Sequence, residues 1–556
     1  MAVSASASPS SGSRRVADEP SSARPERDAW HRWAVPLGLG LLHLILALLA
    51  FDPTPHTGGD NAAYIALARS LIEGRGYLEL WDPATLPHTV YPPAFPGLLA
   101  LAMLLGLESW AALKLLVVFI SAAAVALTVV GLRRAFGAGI ALVVGAVVAV
   151  SPGVVALSHW VLSDVPFWAL TVLALWGFER LEAGERGGLA VAVLATVLAY
   201  FTRSAGLPLV AVAALWLSLR RDWRSLAVLA ATLLPLILLW WLRSQAQGGV
   251  EYVNQFWMVD PYRPELGRIG AADLVERVWD NNVAYMRVHV PILLFGRASP
   301  ALAVPGILVG VAAIVGWALR LRRPGLAELF FPLYIGLIYV WPAVWAGDRF
   351  FLPALPLAVA YAAYALHRAV RRVRPGAAVW VGGGAVALVA LIGAPSQIEG
   401  MRRGQACTTA YRLGSPYPCL PEAWRDFFEV AEWTAANLPE DAVVLSRKPR
   451  LFYALSGHRG RIYPPSPEPA ELVRVAEEAG ARYIVLDFLT GQAFRYLVPA
   501  LTGRPEAFCV VHAPGPDRPA VLGVLPGAGS VPDAAEPSAR FTVCPADYAS
   551  SSVPSR

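Results

Sequence analysis

Lysine is almost missing from this chain: only Lys114 and Lys448 occur in 556 residues, although lysine and arginine together number 46. Arginine has replaced it throughout, as high-GC coding does. Arginine richness by itself therefore does not signal nucleic-acid binding, and no stretch reads as a DNA-binding face. Charge as a whole is scarce. With 15% charged and 56% hydrophobic residues and a mean hydropathy of +0.51, the composition excludes an ordinary soluble protein. Cysteine is absent before position 407. The four that follow, Cys407, Cys419, Cys509 and Cys544, are spaced like no zinc motif. An even set confined to one segment reads instead as two disulfides in an oxidising compartment. Three connectivities are open, the local one being Cys407–Cys419 with Cys509–Cys544. Internal repeats with helices broken near the midplane, a mark of many secondary transporters, are also missing.

What is present is apolar sequence in long runs between short charged stretches. A bilayer core of ~30 Å takes about 20 apolar residues per helix. Runs near 33–51, 110–132, 138–158, 165–181, 188–202, 205–220, 225–243, 300–319, 326–346, 350–367 and 376–395 make eleven spans. Basic residues fall in alternate connections: Arg133-Arg134, Arg180 with Arg186, Arg220-Arg221 with Arg224, Arg320 with Arg322-Arg323, and Arg368 with Arg371-Arg372. The positive-inside rule makes those connections and the N-terminus cytoplasmic. These loops also account for the net charge of +6. An odd number of spans then leaves the C-terminal part outside, in agreement with its cysteines.

Residues 1–29 are rich in Ser, Ala, Pro and Arg and lack apolar periodicity, which reads as a disordered cytoplasmic tail. Residues 30–395 form the membrane domain, with large outside loops at 52–109 and 244–298. In the first loop Tyr64, Leu67, Ala68 and Leu71 suggest an amphipathic helix. "AFPGLLALAMLLG" is too short to span and suits the interface plane. The second loop spaces Leu274, Val278, Val283, Met286 and Val290 for a surface helix. Residues 396–556 alternate helical and strand patterns and read as a small exported α/β domain. The fold class is thus an α-helical polytopic membrane protein with a small α/β appendage.

Ionisable groups beside a bilayer are expensive to desolvate and mark functional sites. Asp60, in "HTGGDNAAY", precedes a helical run and suits a helix N-cap as well as a proton acceptor. Asp164, in "LSDVPFWAL", stands at an outside turn, with the same two readings. Arg203 in "FTRSAGLPL" and Arg349 in "AGDRFFLPALP" sit at outside turns against the charge rule, and their planar forks suit an anionic oxygen group. In this topology the two acids and two arginines share one side and one depth. A reaction on a lipid-linked phosphate requires that convergence.

"GGDNAAYIALARSL", "YPPAFPGLLAL", "LRRAFG", "LSDVPFWAL", "TRSAGLPL" and "DRFFLPALP", in that order, resemble a bacterial family-39-type glycosyltransferase of the GT-C superfamily. That group includes protein O-mannosyltransferases and the lipid A aminoarabinose transferase. The resemblance covers about the first 370 residues. It implies a GT-C-like fold in the plasma (inner) membrane, a polyprenyl-phosphate sugar donor, and an acceptor that is lipid, polysaccharide or protein. It also implies a hexosyl- or pentosyl-transfer activity with Asp60 as general base and Asp164 as the second acid. In some relatives the two acids are associated with a divalent metal and in others none is established, so a metal held by Asp60 and Asp164 stays open. Some members carry a lysine or arginine directly before the double proline, where this chain has "HTVYPP". Donor-phosphate contact is then expected from His88, Arg203 or Arg349. A transporter or flippase of lipid-linked sugars, and a non-catalytic envelope assembly protein of the same fold, are the other classes open to the composition.

The topology is testable by reporter fusions after Arg32, Arg134, Ser299 and Arg412. The first two are expected to be active in the cytoplasm and the last two outside it. An Arg412 fusion active only in the cytoplasm overturns the orientation.

Overall fold

The computed structural model describes residues 24–247, 251–322, 324–515, 517–534, 536–545 and 548. Of the tail read as disordered, residues 1–23 lie outside the described residues, and 24–29 form the first turns of the helix Arg24–Leu49. All eleven apolar runs are helical. Among the described residues, four helices are by themselves long and apolar enough to cross a bilayer: Trp110–Phe136, Trp223–Ala246, Pro300–Arg320 and Ala378–Arg412. Ala138–Val150 and Pro152–Ser158, bent by 64° at Ser151, make a fifth when taken together. The remaining runs lie in helices with a shorter apolar part or more charge, so the count of eleven stays a sequence-based expectation.

Small residues let these helices approach closely, as packing in an apolar medium requires. A Cβ on Gly177 would lie 2.5 Å from the Ala192 nitrogen of the neighbouring helix Gly188–Thr202. One on Gly316 would collide with the Tyr361 carbonyl of the helix Leu355–Val373. The helix Ala378–Arg412 runs unbroken past residue 396, where the sequence placed the start of the second domain.

Beyond it stands an α/β domain with a five-stranded sheet: β1 (Val444–Leu445), β2 (Tyr483–Leu486), β3 (Phe508–His512), β4 (Ala520–Val524) and β5 (Thr542–Val543), in the order β1-β2-β4-β3-β5. β1 and β2 are parallel, crossing over through the helices Pro449–Ser456 and Pro469–Ala479, while β3 and β4 are antiparallel. Successive side chains point to opposite faces. Tyr483 and Val485 pack with Phe427, Phe428 and Phe452 on one face, and Ile484 packs with Leu472, Val473 and Phe508 on the other. Cys407 is joined to Cys419, tying the last long helix to the start of the domain, and Cys509 to Cys544, tying β3 to the end of β5.

The domain roofs one end of the helical layer by holding both large loops. Arg461 grips Asp82 of the first loop with two bonds of 2.9 and 3.0 Å, and the Gly460 N–H donates to the Trp81 carbonyl at 2.7 Å. Tyr496 donates to Glu265 of the second loop, and Arg495 pairs with the same carboxylate. The helix Gly59–Ile72 is consequently buried on every side from Asn61 to Ala68. It is not amphipathic as its pattern suggests, because Tyr64, Ile65 and Ala68 face the helical layer while Ala62 joins the core of the C-terminal domain.

Reduction is expected to destabilise the domain, since each bridge contributes about 2–4 kcal/mol. Intact mass before and after reduction, with a melting curve for each state, tests this. Four alkylatable thiols in freshly purified, unreduced protein would refute both bridges.

Candidate active site

Between the helical layer and its roof lies a cavity of about 770 Å³, a size suited to a small ligand. Asp60, Tyr64 and Tyr91 line it from the first loop, Arg203, Arg349 and Phe350 from helix ends, and Arg447, Lys448 and Arg450 from the C-terminal domain. Among its charged lining residues Asp60 is the one acid, against five cations.

Asp60 sits in the first turn of its helix, whose N-cap is Gly58 and has no side-chain capping bond. The carboxylate is therefore not the expected cap and is turned to other partners. Its Oδ1 accepts from the Tyr91 hydroxyl at 2.8 Å, and its Oδ2 from both terminal nitrogens of Arg349 at 3.0 Å. Arg450 Nη1 lies 3.7 Å from Oδ1 and donates to the Tyr91 oxygen at 2.9 Å. Burial alone pushes this carboxyl's pKa up. The charges of Arg349 and Arg450, with hydrogen bonds from Tyr91 and Arg349, outweigh it and hold the pKa at about 2. The side chain nevertheless remains 33% exposed, toward the cavity.

Asp164 does not line the cavity. It begins the helix Asp164–Glu182 without capping it, is 3% exposed, and pairs with Arg203 at 2.6 Å. Arg203 Nη1 also reaches the Ser163 hydroxyl at 3.3 Å, which is bonded to the Tyr64 hydroxyl at 2.9 Å. Both arginines sit against one ring, with the guanidinium carbon of Arg203 5.1 Å and that of Arg349 4.7 Å from the centre of Phe350. Asp164 is thus connected to the cavity only through Arg203.

His88 is a correction. Fully buried, it has its Nδ1 2.7 Å from Glu79 and its Nε2 accepting from the Tyr91 backbone N–H at 2.8 Å. With both ring nitrogens engaged it is absent from the cavity wall and serves to set Tyr91. The residues present do not fit a divalent metal either. Each acid already holds a guanidinium, and among the described residues no group of three or more His, Cys, Asp or Glu side chains is arranged to hold an ion.

Sequence reasoning brought Asp60, Arg203 and Arg349 together but missed Tyr91 as a ligand of Asp60 and the three cations of the C-terminal domain. The available signal was "SRKPR", which places one of the two lysines in a basic cluster directly after a strand.

No family model matches the chain, and no curated protein matches it in sequence. Solved structures do share its fold. ArnT from Cupriavidus metallidurans in the apo state is 17% identical at a TM-score of 0.54, covering 91% of this chain and 99% of that one. The same protein bound to undecaprenyl phosphate gives 16% identity, a TM-score of 0.54 and coverages of 89% and 98%. The Archaeoglobus fulgidus oligosaccharyltransferase in complex with Zn and sulfate gives 14%, 0.55, 88% and 73%. The chain therefore shares the fold of these proteins: apolar helices under a smaller α/β domain.

A folded-state pKa of about 2, against an unfolded value near 3.9, sets the sign of a pH test. The Asp60 pairing stabilises fully above about pH 4 and is lost as pH falls through about 2. In infrared difference spectra of ligand-free protein, the protonated-carboxyl band missing from Asp60→Asn should emerge only below about pH 3. Its emergence at pH 4–5 would mean that Arg349 does not hold the carboxylate.

Proposed function

We propose that the chain is an integral-membrane glycosyltransferase acting at the outer face of the bacterial plasma membrane. It moves a sugar from a polyprenyl-phosphate donor to an envelope acceptor with inversion at the anomeric carbon. The observation that carries this reading is the cavity's charge, five cations against one carboxylate at an end of the helical layer. A polyprenyl phosphate keeps its anionic group at headgroup level and its tail in the bilayer, so a cationic cavity at a membrane face suits it. ArnT, of the same fold, has been solved with undecaprenyl phosphate, which supports the same ligand class. A flippase would be expected to centre its charges near the midplane.

In the reaction the acceptor oxygen attacks the anomeric carbon from the side opposite the phosphate. The carbon–oxygen bond to phosphate breaks with its electron pair staying on the phosphate, and the acceptor's proton passes to Asp60. The departing phosphate needs no proton at neutral pH, so a general acid is dispensable. Its charge grows as the bond breaks, and fixed cations stabilise that growth. Arg349 is placed for this task, and Asp164 supports it by holding Arg203 at the wall.

A carboxylate held at about pKa 2 is a feeble base. The same geometry supplies the remedy. Burial is the largest single influence on Asp60 and raises its pKa, whereas Arg349 is the largest influence lowering it. A donor phosphate that draws Arg349 away removes the largest lowering influence, and the base strengthens when the donor is in place.

Asp60→Asn keeps an oxygen for Arg349 and cannot take a proton. Sugar transfer from a polyprenyl-phosphate donor in purified membranes is expected to fall by roughly 10²–10⁴-fold, the usual range for a lost general base. Full activity in this variant would remove Asp60 from the chemistry.

A further inference from the structure

We infer that Lys448, carried on the C-terminal domain, is a phosphate ligand for the lipid donor, so that the roof supplies part of the donor site. This rests on the function proposed above. It differs in assigning the phosphate to a residue outside the membrane domain.

The five cations of the cavity are not equally free to take a ligand. Arg203 is paired with Asp164 at 2.6 Å, and Arg349 holds Asp60 through two bonds of 3.0 Å. Arg450 is bonded to the Tyr91 hydroxyl and lies 3.7 Å from Asp60. Arg447 is buried with its guanidinium carbon 5.4 Å from the centre of the Tyr262 ring. Lys448 has neither an ion pair nor a hydrogen bond from its ammonium among the described residues, although it lines the cavity and is half-buried. Arg349 and Arg203 offer an incoming phosphate only the N–H donors left over from their pairs, with their charge already partly neutralised. Lys448 is under neither limit, so Lys448 makes the first contact.

The backbone fixes this position. Lys448 follows β1 by three residues, and Asp487 follows directly on β2, the strand parallel to it. The carboxyl ends of adjacent parallel strands are a habitual ligand site in open α/β sheets. Here they are turned toward the mouth of the membrane domain by the Arg461–Asp82 grip. Burial, with the charge of Arg447, lowers the proton affinity of Lys448, while Asp60 and Asp487 raise it at longer range. A half-buried ammonium with no counter-ion in contact costs folding energy, and an anionic ligand removes that cost.

The chain's other lysine sharpens the contrast. Lys114 donates to the backbone carbonyls of Asp52 and Thr54 and is buried. It fastens the first loop to a helix, and its ammonium is spent on that task. In a chain that uses arginine almost everywhere, Lys448 is the one compact, three-donor cation left to meet a ligand. Lysine binds phosphate as a point charge from any side.

The test measures binding of undecaprenyl phosphate and of uncharged undecaprenol to the full-length protein in nanodiscs, with Lys448→Met and Lys448→Arg beside wild type. Wild type should prefer the phosphate. Lys448→Met should bind it about 10–100-fold more weakly, the range for losing one charged hydrogen bond, and bind the alcohol as before. Lys448→Arg should recover most of the loss. The melting temperature of Lys448→Met should be equal to or above that of wild type, because no partner is orphaned. Unchanged phosphate affinity in Lys448→Met would overturn the assignment and leave the donor reading standing. A melting temperature well below wild type would make Lys448 structural and overturn it equally. If wild type fails to distinguish phosphate from alcohol, the donor reading itself falls, and this inference with it.

Discussion

The pairing of Asp60 with Arg349 joins residues 289 positions apart, and the architecture of the site follows from the need to bring them together. Asp60 is placed by a short helix buried on all sides, and Arg349 by the turn before the helix Leu355–Val373. Neither group is stable alone at that depth. An isolated buried carboxylate or guanidinium costs several kcal/mol, so each is the other's condition for burial. The cost is lowered by the surroundings: the Tyr91 hydroxyl on the free carboxylate oxygen and the Phe350 ring beneath the guanidinium. His88 and Glu79 then fix Tyr91 from behind, which extends the constraint one layer further into the loop.

The second pair, Arg203 with Asp164, repeats this logic with a difference. Asp164 is buried away from the cavity and Arg203 lines it, whereas both members of the first pair line it. Two similar ion pairs therefore have different chemical futures. Drawing Arg349 aside uncovers a carboxylate within the cavity. Drawing Arg203 aside uncovers one with no access, which is unfavourable. The shared Phe350 ring holds the two guanidinium groups at one wall, so an anion near that ring meets both. Only one of them has a reason to move.

Much of this was legible in the sequence. Long apolar runs and alternating basic loops gave the helices. Cysteines confined to the last part pointed to a separate domain, and strand patterns in "ARYIVLDFL" and "AFCVVHAP" located its sheet. Asp60, Arg203 and Arg349, singled out by charge out of place at helix ends, line one cavity. What stayed hidden depended on the roof. The helix after Asp60 looked amphipathic because its second partner, the C-terminal domain, lies several hundred residues away and leaves no periodic trace. His88 looked like a phosphate ligand because spacing cannot tell which way a ring faces, and its partner Glu79 became visible only through contact. Asp60 and Asp164 both looked like caps, since a helix start reads alike whether the side chain bonds its own backbone or a distant arginine. The basic cluster after β1 passed unnoticed because arginine is common throughout the chain.

A roof that carries cations also changes what the membrane domain has to do by itself. The helical part alone contributes Asp60, Arg349 and Arg203 to the cavity, and with Arg203 paired to the buried Asp164 these charges are balanced. Adding Arg447, Lys448 and Arg450 turns the same space strongly positive. Arg450 also reaches the pair, 3.7 Å from Asp60, and helps Arg349 hold its pKa down. The roof supplies excess positive charge, and the membrane domain supplies the Asp60–Arg349 pair. Because Coulomb attraction strengthens as water is excluded, the cations gain most from closing the cavity from above. The Arg461–Asp82 grip therefore bears on the cavity's field although neither residue lines it, because it holds the cation-bearing domain against the first loop, which carries Asp60.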